Sequence, residues 1–331
     1  MPTDQAQEFL FQRIKEIMPP DASMVDVVSG ILHVSTDSAY RRIRGETPIV
    51  LDEVRQLCQH FNLSLDQLLK VKSSSVLFQD IRIKTNQYTY QQFLQGILSQ
   101  VEAINNFLRK EIIYMSKDLP VFHNFYYQPL TAFRYYFWMK THLHNPDFDD
   151  KVFDFSILPP EIEKLSLDVA RCYQKVPSIE MWNTESINST ISQIEFSKDS
   201  GHFSSSADIK VIYDALEQTI YHLKEQAEYG CKFMPGENPE SKKNNFKLFF
   251  NRIVLGDNTI LASADFGKTC FINYGHLNYL MTSDEGFCNQ IYKDFENLIK
   301  RSTLISQSSE KQRNIFFGIM LSKINDRKKN L

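Results

Sequence analysis

The residues most able to do chemistry are three arginines, Arg41, Arg42 and Arg44, which stand within four positions of the segment STDSAYRRIRG. Guanidinium groups bind phosphate oxygens and the edges of guanine bases. The segment begins with Ser35, whose hydroxyl can cap a helix, and ends with Gly45, a residue typical of helix ends. We therefore predict a short helix that enters the major groove of DNA.

Four further short helices are predicted around this segment, so that the first 71 residues form one compact bundle. Leu10, Ile14 and Ile17 have helical spacing and predict the first helix, and Ser23 is the predicted cap of the second. A fourth helix is predicted after the arginine segment, and a fifth over residues 64–69.

This bundle resembles the helix-turn-helix domain of the Cro/lambda-repressor-like (XRE) transcriptional regulators. The similarity lies in the run LHVSTDSAYRRIRGE followed by PIVLDEVRQLCQHFNLSLDQLL, within roughly residues 5–71. It implies an all-α five-helix lambda-repressor-like bundle whose third helix contacts double-stranded DNA, with Thr36, Asp37, Tyr40 and Arg41 facing bases or flanking phosphates. The candidate DNA-binding residues are Ser35, Thr36, Asp37, Ser38, Tyr40, Arg41, Arg42 and Arg44.

Three positions depart from the pattern of that family. His33 stands where a turn glycine is common, Val50 where a hydroxyl cap is usual, and Arg42 where the third helix usually has an apolar residue. Histidine tolerates the left-handed backbone conformation of such a turn better than most residues do.

The predicted DNA-binding domain is acidic overall. Residues 1–71 contain seven Lys and Arg against ten Asp and Glu, a net charge of −3. Because few phosphates can be neutralised by one such domain, we expect a homodimer that binds two half-sites of a pseudo-palindromic operator.

The whole chain has the composition of a globular protein. It has 331 residues, 42% of them hydrophobic and 23% charged, and a net charge of −3, so DNA contact must come from a local patch. The five cysteines form no C-x-x-C pair, the first 30 residues contain too many charges for a signal peptide, and no apolar run is long enough to cross a membrane. We expect a cytoplasmic protein.

Residues 72–75 are a predicted linker, and residues 76–331 a second domain of α+β class, helix-rich with a small, mostly antiparallel sheet. Residues 159–232 are predicted to be helical throughout, and two helices are predicted at 284–301 and 310–324. The predicted strands cover residues 76–83, 111–117, 246–255, 259–265 and 268–274, the last three forming an antiparallel meander. By fold-level analogy alone, this is the composition of a sensory or dimerisation domain.

An aromatic-rich stretch in this second domain has two interpretations. Its rings either line a pocket for a small apolar or aromatic effector or fill the core, and the core is favoured because aromatic residues at helical spacing usually belong there. The candidate effector-binding residues are Phe122, Phe125, Tyr126, Phe133, Tyr136 and Trp138.

The usual catalytic and nucleotide-binding motifs do not occur in the sequence. G-x-G-x-x-G, the P-loop, G-x-S-x-G and H-E-x-x-H are all missing, so we expect neither an enzyme nor a cofactor or metal site. The favoured function is therefore a sequence-specific DNA-binding transcriptional regulator. The acidic first domain leaves an alternative, a protein-interaction module whose helix-turn-helix bundle no longer binds DNA.

Overall fold

The computed structural model divides the chain into two compact units, Met1–Ser75 and Val76–Leu331. It describes residues 4–19, 22–61, 63, 76–81, 89–239, 244–253, 256–265, 267–274 and 278–331. The predicted fifth helix and the predicted linker lie outside the described residues.

The described part of the first unit contains four helices, which pack around one small core. They are α1 (Asp4–Ile17), α2 (Met24–Leu32), α3 (Thr36–Ile43) and α4 (Leu51–His60). Leu10 and Ile14 are buried in that core together with Val28, Ala39 and Leu57, which come from the other three helices. Ile17, predicted to point inward, is 49% exposed because it ends α1 beyond the last buried turn.

The helices of the second unit, in the part of the chain that the structure describes, connect the strands of one sheet, except the last helix, which follows the last strand. They are α5 (Tyr90–Asn105), α6 (Gln128–Phe137), α7 (Pro160–Gln174), α8 (Asn188–Asp199), α9 (Ser206–Tyr229), α10 (Glu285–Lys300) and α11 (Glu310–Lys328). A 3-10 helix, Val121–Phe125, precedes α6, and a π-helical turn, Trp138–His142, follows it.

The described residues of the second unit form an eight-stranded mixed sheet. Its strands are β1 (Gln79–Ile81), β2 (Lys110–Met115), β3 (Ser178–Trp182), β4 (Phe246–Phe250), β5 (Thr259–Ala264), β6 (Gly267–Tyr274), β7 (Asn278–Thr282) and β8 (Thr303–Leu304). Their order is β1-β7-β6-β5-β2-β3-β4-β8. The β2–β3 and β3–β4 pairs are parallel, and the other five pairs are antiparallel. The α+β assignment is thus correct, but the prediction of a small sheet was wrong.

Two of the sequence predictions for this sheet were wrong in detail. Residues 159–232 contain strand β3 as well as three helices. The predicted meander of β4, β5 and β6 does not exist, because β2 and β3 lie between β4 and β5, and the actual meander is β5–β6–β7. Early strands pair with late ones, since β1 pairs with β7 and β2 pairs with β5.

Side chains alternate between the two faces of the sheet. From β2, Ile112 and Tyr114 enter the large core shared with α5 to α9 and α11, whereas Ile113 enters a smaller core with Cys288 and Phe295 of α10. The sheet is therefore covered on both faces, as its parallel centre requires. None of the described helices has both the length and the apolar character to span a bilayer.

Candidate nucleic-acid interface

A tight turn joins α2 to α3 and fixes where α3 begins. His33 adopts the left-handed conformation, with φ of 53°. Ser29 holds the turn twice, since its Oγ donates to the Val34 carbonyl at 2.7 Å and its own carbonyl accepts the Val34 amide at 3.2 Å. The histidine that replaces the usual glycine therefore performs the same conformational role.

Both ends of α3 have the predicted signals. The Ser35 Oγ accepts the Ser38 amide at 3.2 Å and donates to the Ser38 hydroxyl at 3.0 Å, so Ser35 is the N-cap. Gly45 follows the helix with φ of 74°, and its amide donates to the Arg42 carbonyl at 3.1 Å. Ala39 is fully buried and faces the core, which fixes the rotation of the helix.

Five side chains form an exposed stripe along the outer face of α3, and we call it the α3 stripe. Its members are Thr36, Asp37, Tyr40, Arg41 and Arg44. Tyr40 and Arg44 follow Thr36 at four-residue spacing, and Arg41 follows Asp37 likewise, so all five lie side by side on the helix surface. All belong to the set predicted from the sequence.

The two arginines of the α3 stripe differ in their surroundings. In the described part of the chain, no side chain or carbonyl pairs with the Arg41 guanidinium. Arg44 donates to the Tyr40 hydroxyl at 3.1 Å, lies 5.6 Å from the centre of the Tyr40 ring and is 3.5 Å from Glu46. The hydrogen bond with Tyr40 raises the pKa of Arg44, which stays charged. Arg41 is therefore the cation of the stripe available to a new partner.

Arg42 lies off the α3 stripe and is bonded to α4. Its Nε and Nη2 donate to the two carboxylate oxygens of Glu53 at 3.0 and 2.9 Å, and its Nη1 donates to the Ser38 carbonyl at 3.2 Å. The two side chains are only 17% and 14% exposed. This bidentate ion pair neutralises the charge of Arg42 within the protein. Arg42, predicted from the sequence to contact DNA, therefore holds α3 to α4 instead.

Glu53 has a second role at the start of α4. Val50 is the N-cap position and offers no side-chain acceptor, but the Glu53 carboxylate accepts the Val50 amide at 3.2 Å. Glutamate three residues after the cap is the reciprocal half of a capping box, a signal present in the sequence. One carboxylate thus begins α4 and fixes α4 to α3.

Gln7 of α1 holds the loop between α3 and α4. Its Nε2 donates to the carbonyls of Arg42 and Thr47 at 2.7 and 2.9 Å, and its Oε1 accepts the Ile49 amide at 3.0 Å. This contact spans more than 30 residues, and no local sequence pattern announces it. The amide of Gln7 therefore fixes the C-terminal end of α3 in the unit.

The six aromatic residues proposed for effector binding are all buried in the second unit. Phe122 stacks on Tyr173 with ring centres 3.8 Å apart, and Phe133 packs against Phe153 and Phe203. Phe125, Tyr126, Phe133 and Tyr136 belong to the large core, as do Phe122 and Trp138. Phe122 also lines an apolar cavity and Trp138 a polar one. In the described ranges, no cluster of three His, Cys, Asp or Glu side chains could hold a metal ion.

Comparison with known proteins finds a similarity in the N-terminal quarter of the chain only. Residues 6–82 match the BetR domain, a helix-turn-helix-like domain associated with DNA-binding regulators. The matched region includes α1 to α4 and strand β1. No curated protein and no solved structure matches the chain.

Proposed function

We propose that this chain is a sequence-specific DNA-binding transcriptional regulator that acts as a dimer, with its second unit responsible for dimerisation, effector sensing or both. The observation that carries the proposal is the α3 stripe, an exposed row of polar and cationic side chains on a capped helix of a helix-turn-helix-like domain. Arg41, exposed and unpaired among the described residues, is its central group.

The members of the stripe have distinct expected roles. Arg41 can donate two parallel hydrogen bonds to guanine, and Asp37 can accept from the amino group of cytosine. Ser35, Ser38 and the free amides at the start of α3 are suited to a phosphate, since a helix N-terminus attracts anions. Arg44 already contacts Tyr40 and Glu46, so we assign it to the DNA backbone rather than to bases.

The dimer follows from the charge of the first domain. With a net charge of −3 over residues 1–71, one copy neutralises few phosphates and binds weakly. Two copies related by a two-fold axis place their α3 helices about 34 Å apart, one turn of DNA. The expected operator is therefore a pseudo-palindrome whose half-sites are one turn apart, and sedimentation of the full chain should give a dimer.

The proposal is tested by selecting binding sites from a pool of random duplexes with the full chain. We expect an enriched two-fold sequence, on which Arg41→Ala weakens binding by about 1–3 kcal/mol while binding to a scrambled duplex changes less. Lys15→Ala is the matched control, because it removes the same charge from an exposed position on α1. Selection that enriches no sequence would overturn the proposal, and equal losses on both duplexes would assign Arg41 to the backbone.

The acidic charge of residues 1–71 also favours a second candidate, a protein-interaction module that has lost DNA binding. In that case titrations with any duplex stay flat even at low salt, where electrostatic binding is strongest, and the chain elutes with a stoichiometric protein partner.

A further inference from the structure

A polar cavity in the second unit carries a charge that the protein leaves unpaired. The cavity has a volume of about 100 Å³, and its polar lining includes Asp118, Asn124, Arg134, Gln193 and Asn273. All of its lining residues belong to the second unit.

Arg134 of α6 is the central group of this cavity. It is only 6% exposed. Its Nε donates to Asn124 Oδ1 at 3.3 Å, its Nη2 donates to Thr190 Oγ1 at 3.1 Å, and its Nη1 donates to Gln193 Oε1. All three acceptors are neutral, and within the described ranges no carboxylate forms an ion pair with Arg134.

A buried guanidinium with no directly bonded carboxylate is costly for the protein, although the charge of Asp118, in the lining of the same cavity, attracts it. Burial lowers the pKa of Arg134 to about 10, so the group remains a cation near neutral pH. Proteins normally compensate such a charge with an anion, because desolvation of an isolated ion is strongly unfavourable. Two of its five N–H groups also remain beyond the three bonds described. Arg134 therefore has both the charge and the donors to hold an anion.

Trp138 supplies a second observation at the same cavity. It is one turn after Arg134 and lines the cavity, and its Nε1–H is buried with no acceptor in the described part of the chain. The ring of Tyr90, whose buried hydroxyl likewise has no described partner, packs 5.5 Å from that of Trp138. Buried donors are nearly always hydrogen-bonded in native proteins, so the Trp138 Nε1–H, in the lining of the cavity, marks a place for an acceptor.

The neighbouring walls indicate the rest of the ligand. An apolar cavity, also of about 100 Å³, shares Phe93, Tyr114, Val121 and Tyr279 with the polar one. Since a cavity of about 150 Å³ holds a benzene molecule, the two spaces suit a molecule of about five to ten non-hydrogen atoms. The carboxylate of Asp118 also lines the polar cavity and disfavours a multiply charged inorganic anion there.

We propose that the second unit binds a small organic carboxylate, whose anionic group pairs with Arg134 and whose apolar part lies toward Phe93 and Val121. Asp118 distinguishes two kinds of carboxylate ligand. Its carboxylate would pair with the ammonium group of an α-amino acid, whereas a plain carboxylic acid has no cation to pair with it. As an effector this ligand rests on the proposed function, but its binding does not.

The test is calorimetric titration of the full chain without DNA, with the fluorescence of its two tryptophans, Trp138 and Trp182, as a second readout. The probes are butyrate, 4-methylvalerate, alanine and leucine, with butyramide as a neutral control. We expect saturable binding of a carboxylate and none of butyramide. If no carboxylate binds, or if butyramide binds equally well, the proposal is overturned while the DNA selection still stands on its own result.

Two variants of the cavity identify the site. Arg134→Gln should weaken binding at least tenfold, whereas Arg313→Gln should not, because Arg313 is equally buried, donates only to backbone carbonyls and lines neither cavity. Gln193→Glu covers the case in which Arg134→Gln fails to fold, since it gives Arg134 an internal carboxylate and should raise the melting temperature while abolishing binding. Binding of wild-type strength by Gln193→Glu would refute the assignment.

Asp118→Asn separates the two ligand types within the class. If the ligand is an α-amino acid, leucine binds better than 4-methylvalerate to the wild type and loses that advantage in the variant. If it is a plain carboxylate, 4-methylvalerate binds at least as well, and Asp118→Asn leaves its binding unchanged or tighter. Either result supports the proposal.

Discussion

The contact between Arg42 and Glu53 permits the most exact test of how α3 is positioned. Arg42 was a candidate for DNA contact, yet its guanidinium is bonded to both oxygens of Glu53. We expect Arg42→Met to loosen the junction of α3 and α4 without removing a DNA contact. Methionine suits the position, because an apolar residue is usual there in the helix-turn-helix proteins that this segment resembles.

The size of the effect follows from the burial of the pair. Exposed ion pairs contribute about 0.2–1 kcal/mol, whereas removing one partner of a fully buried pair costs about 3–5 kcal/mol. With side chains 17% and 14% exposed and two good hydrogen bonds, the Arg42–Glu53 pair lies between these limits. Discounted for the remaining exposure, its coupling free energy should be about 1–2 kcal/mol.

A double-mutant cycle of Arg42→Met and Glu53→Gln measures this coupling, since glutamine can still accept the Val50 amide. Both tryptophans of the chain, Trp138 and Trp182, lie in the second unit, so fluorescence does not report on α3. Amide hydrogen exchange of the full chain reports on the stability of α3 directly. The amide of Gly45, bonded to the Arg42 carbonyl, should exchange about 5- to 30-fold faster in Arg42→Met.

The exposed pair of Arg55 and Asp52 is the internal control for this cycle. It lies on α4 with a separation of 3.4 Å and side chains 58% and 84% exposed, so Arg55→Met should leave the Gly45 amide unchanged. On the selected duplex, Arg42→Met should keep the salt dependence of the wild type. A salt slope lower by about 0.9 would mean that Arg42 contacts a phosphate after all. A coupling energy near zero would mean that the Arg42–Glu53 pair does not hold α3 to α4, and either result would refute the argument.

Two further predictions concern groups that the sequence did not single out. Gln7→Ala removes three hydrogen bonds to the end of α3 and the loop after it, so hydrogen exchange at the Ile49 amide should accelerate and specific DNA binding should weaken. Gln59 is exposed on α4, and Gln59→Ala should change neither. An unchanged exchange rate of the Ile49 amide in Gln7→Ala would contradict the role of Gln7. Burial lowers the pKa of Lys232 to about 7, so between pH 7 and about 10.4 the unfolded chain binds one more proton than the folded chain. The free energy of unfolding should therefore rise with pH in that window, and Lys232→Met should flatten the rise. An unchanged slope in the variant would show that another group causes the rise.

The first unit could be predicted closely because its signals are local. Ser23 and Ser35 cap their helices as predicted, and Gly45 has the expected positive φ. The bonds that hold α3 in place could not be predicted. Glu53 is 11 residues from Arg42, and Gln7 is 35 residues away, and a guanidinium in a sequence gives no sign of whether its partner is a carboxylate or a phosphate.

Strand β3 was missed for a different physical reason. A charged residue in the middle of a short apolar segment argues against a central strand, and Glu180 occupies that position. The fold satisfies its carboxylate with His123 Nε2 at 3.1 Å, the Tyr173 hydroxyl at 2.6 Å and Trp182 Nε1 at 3.0 Å. Trp182 belongs to β3 itself, but His123 and Tyr173 come from the 3-10 helix Val121–Phe125 and from α7, so the strand becomes acceptable only after the tertiary structure has formed.

The arginines of this chain show why residue type alone does not define a site. Arg42 has a carboxylate partner and serves the structure, whereas Arg41, exposed and unpaired among the described residues, is the one suited to DNA. Arg134, only 6% exposed, combines burial with neutral hydrogen-bond partners and a cavity. Arg313 separates the last two conditions, since it is buried without a carboxylate but lines neither cavity. If Arg313→Gln and Arg134→Gln lose carboxylate binding equally, the loss reflects the removal of any buried arginine from this core. The cavity beside Arg134 would then not be the carboxylate-binding site.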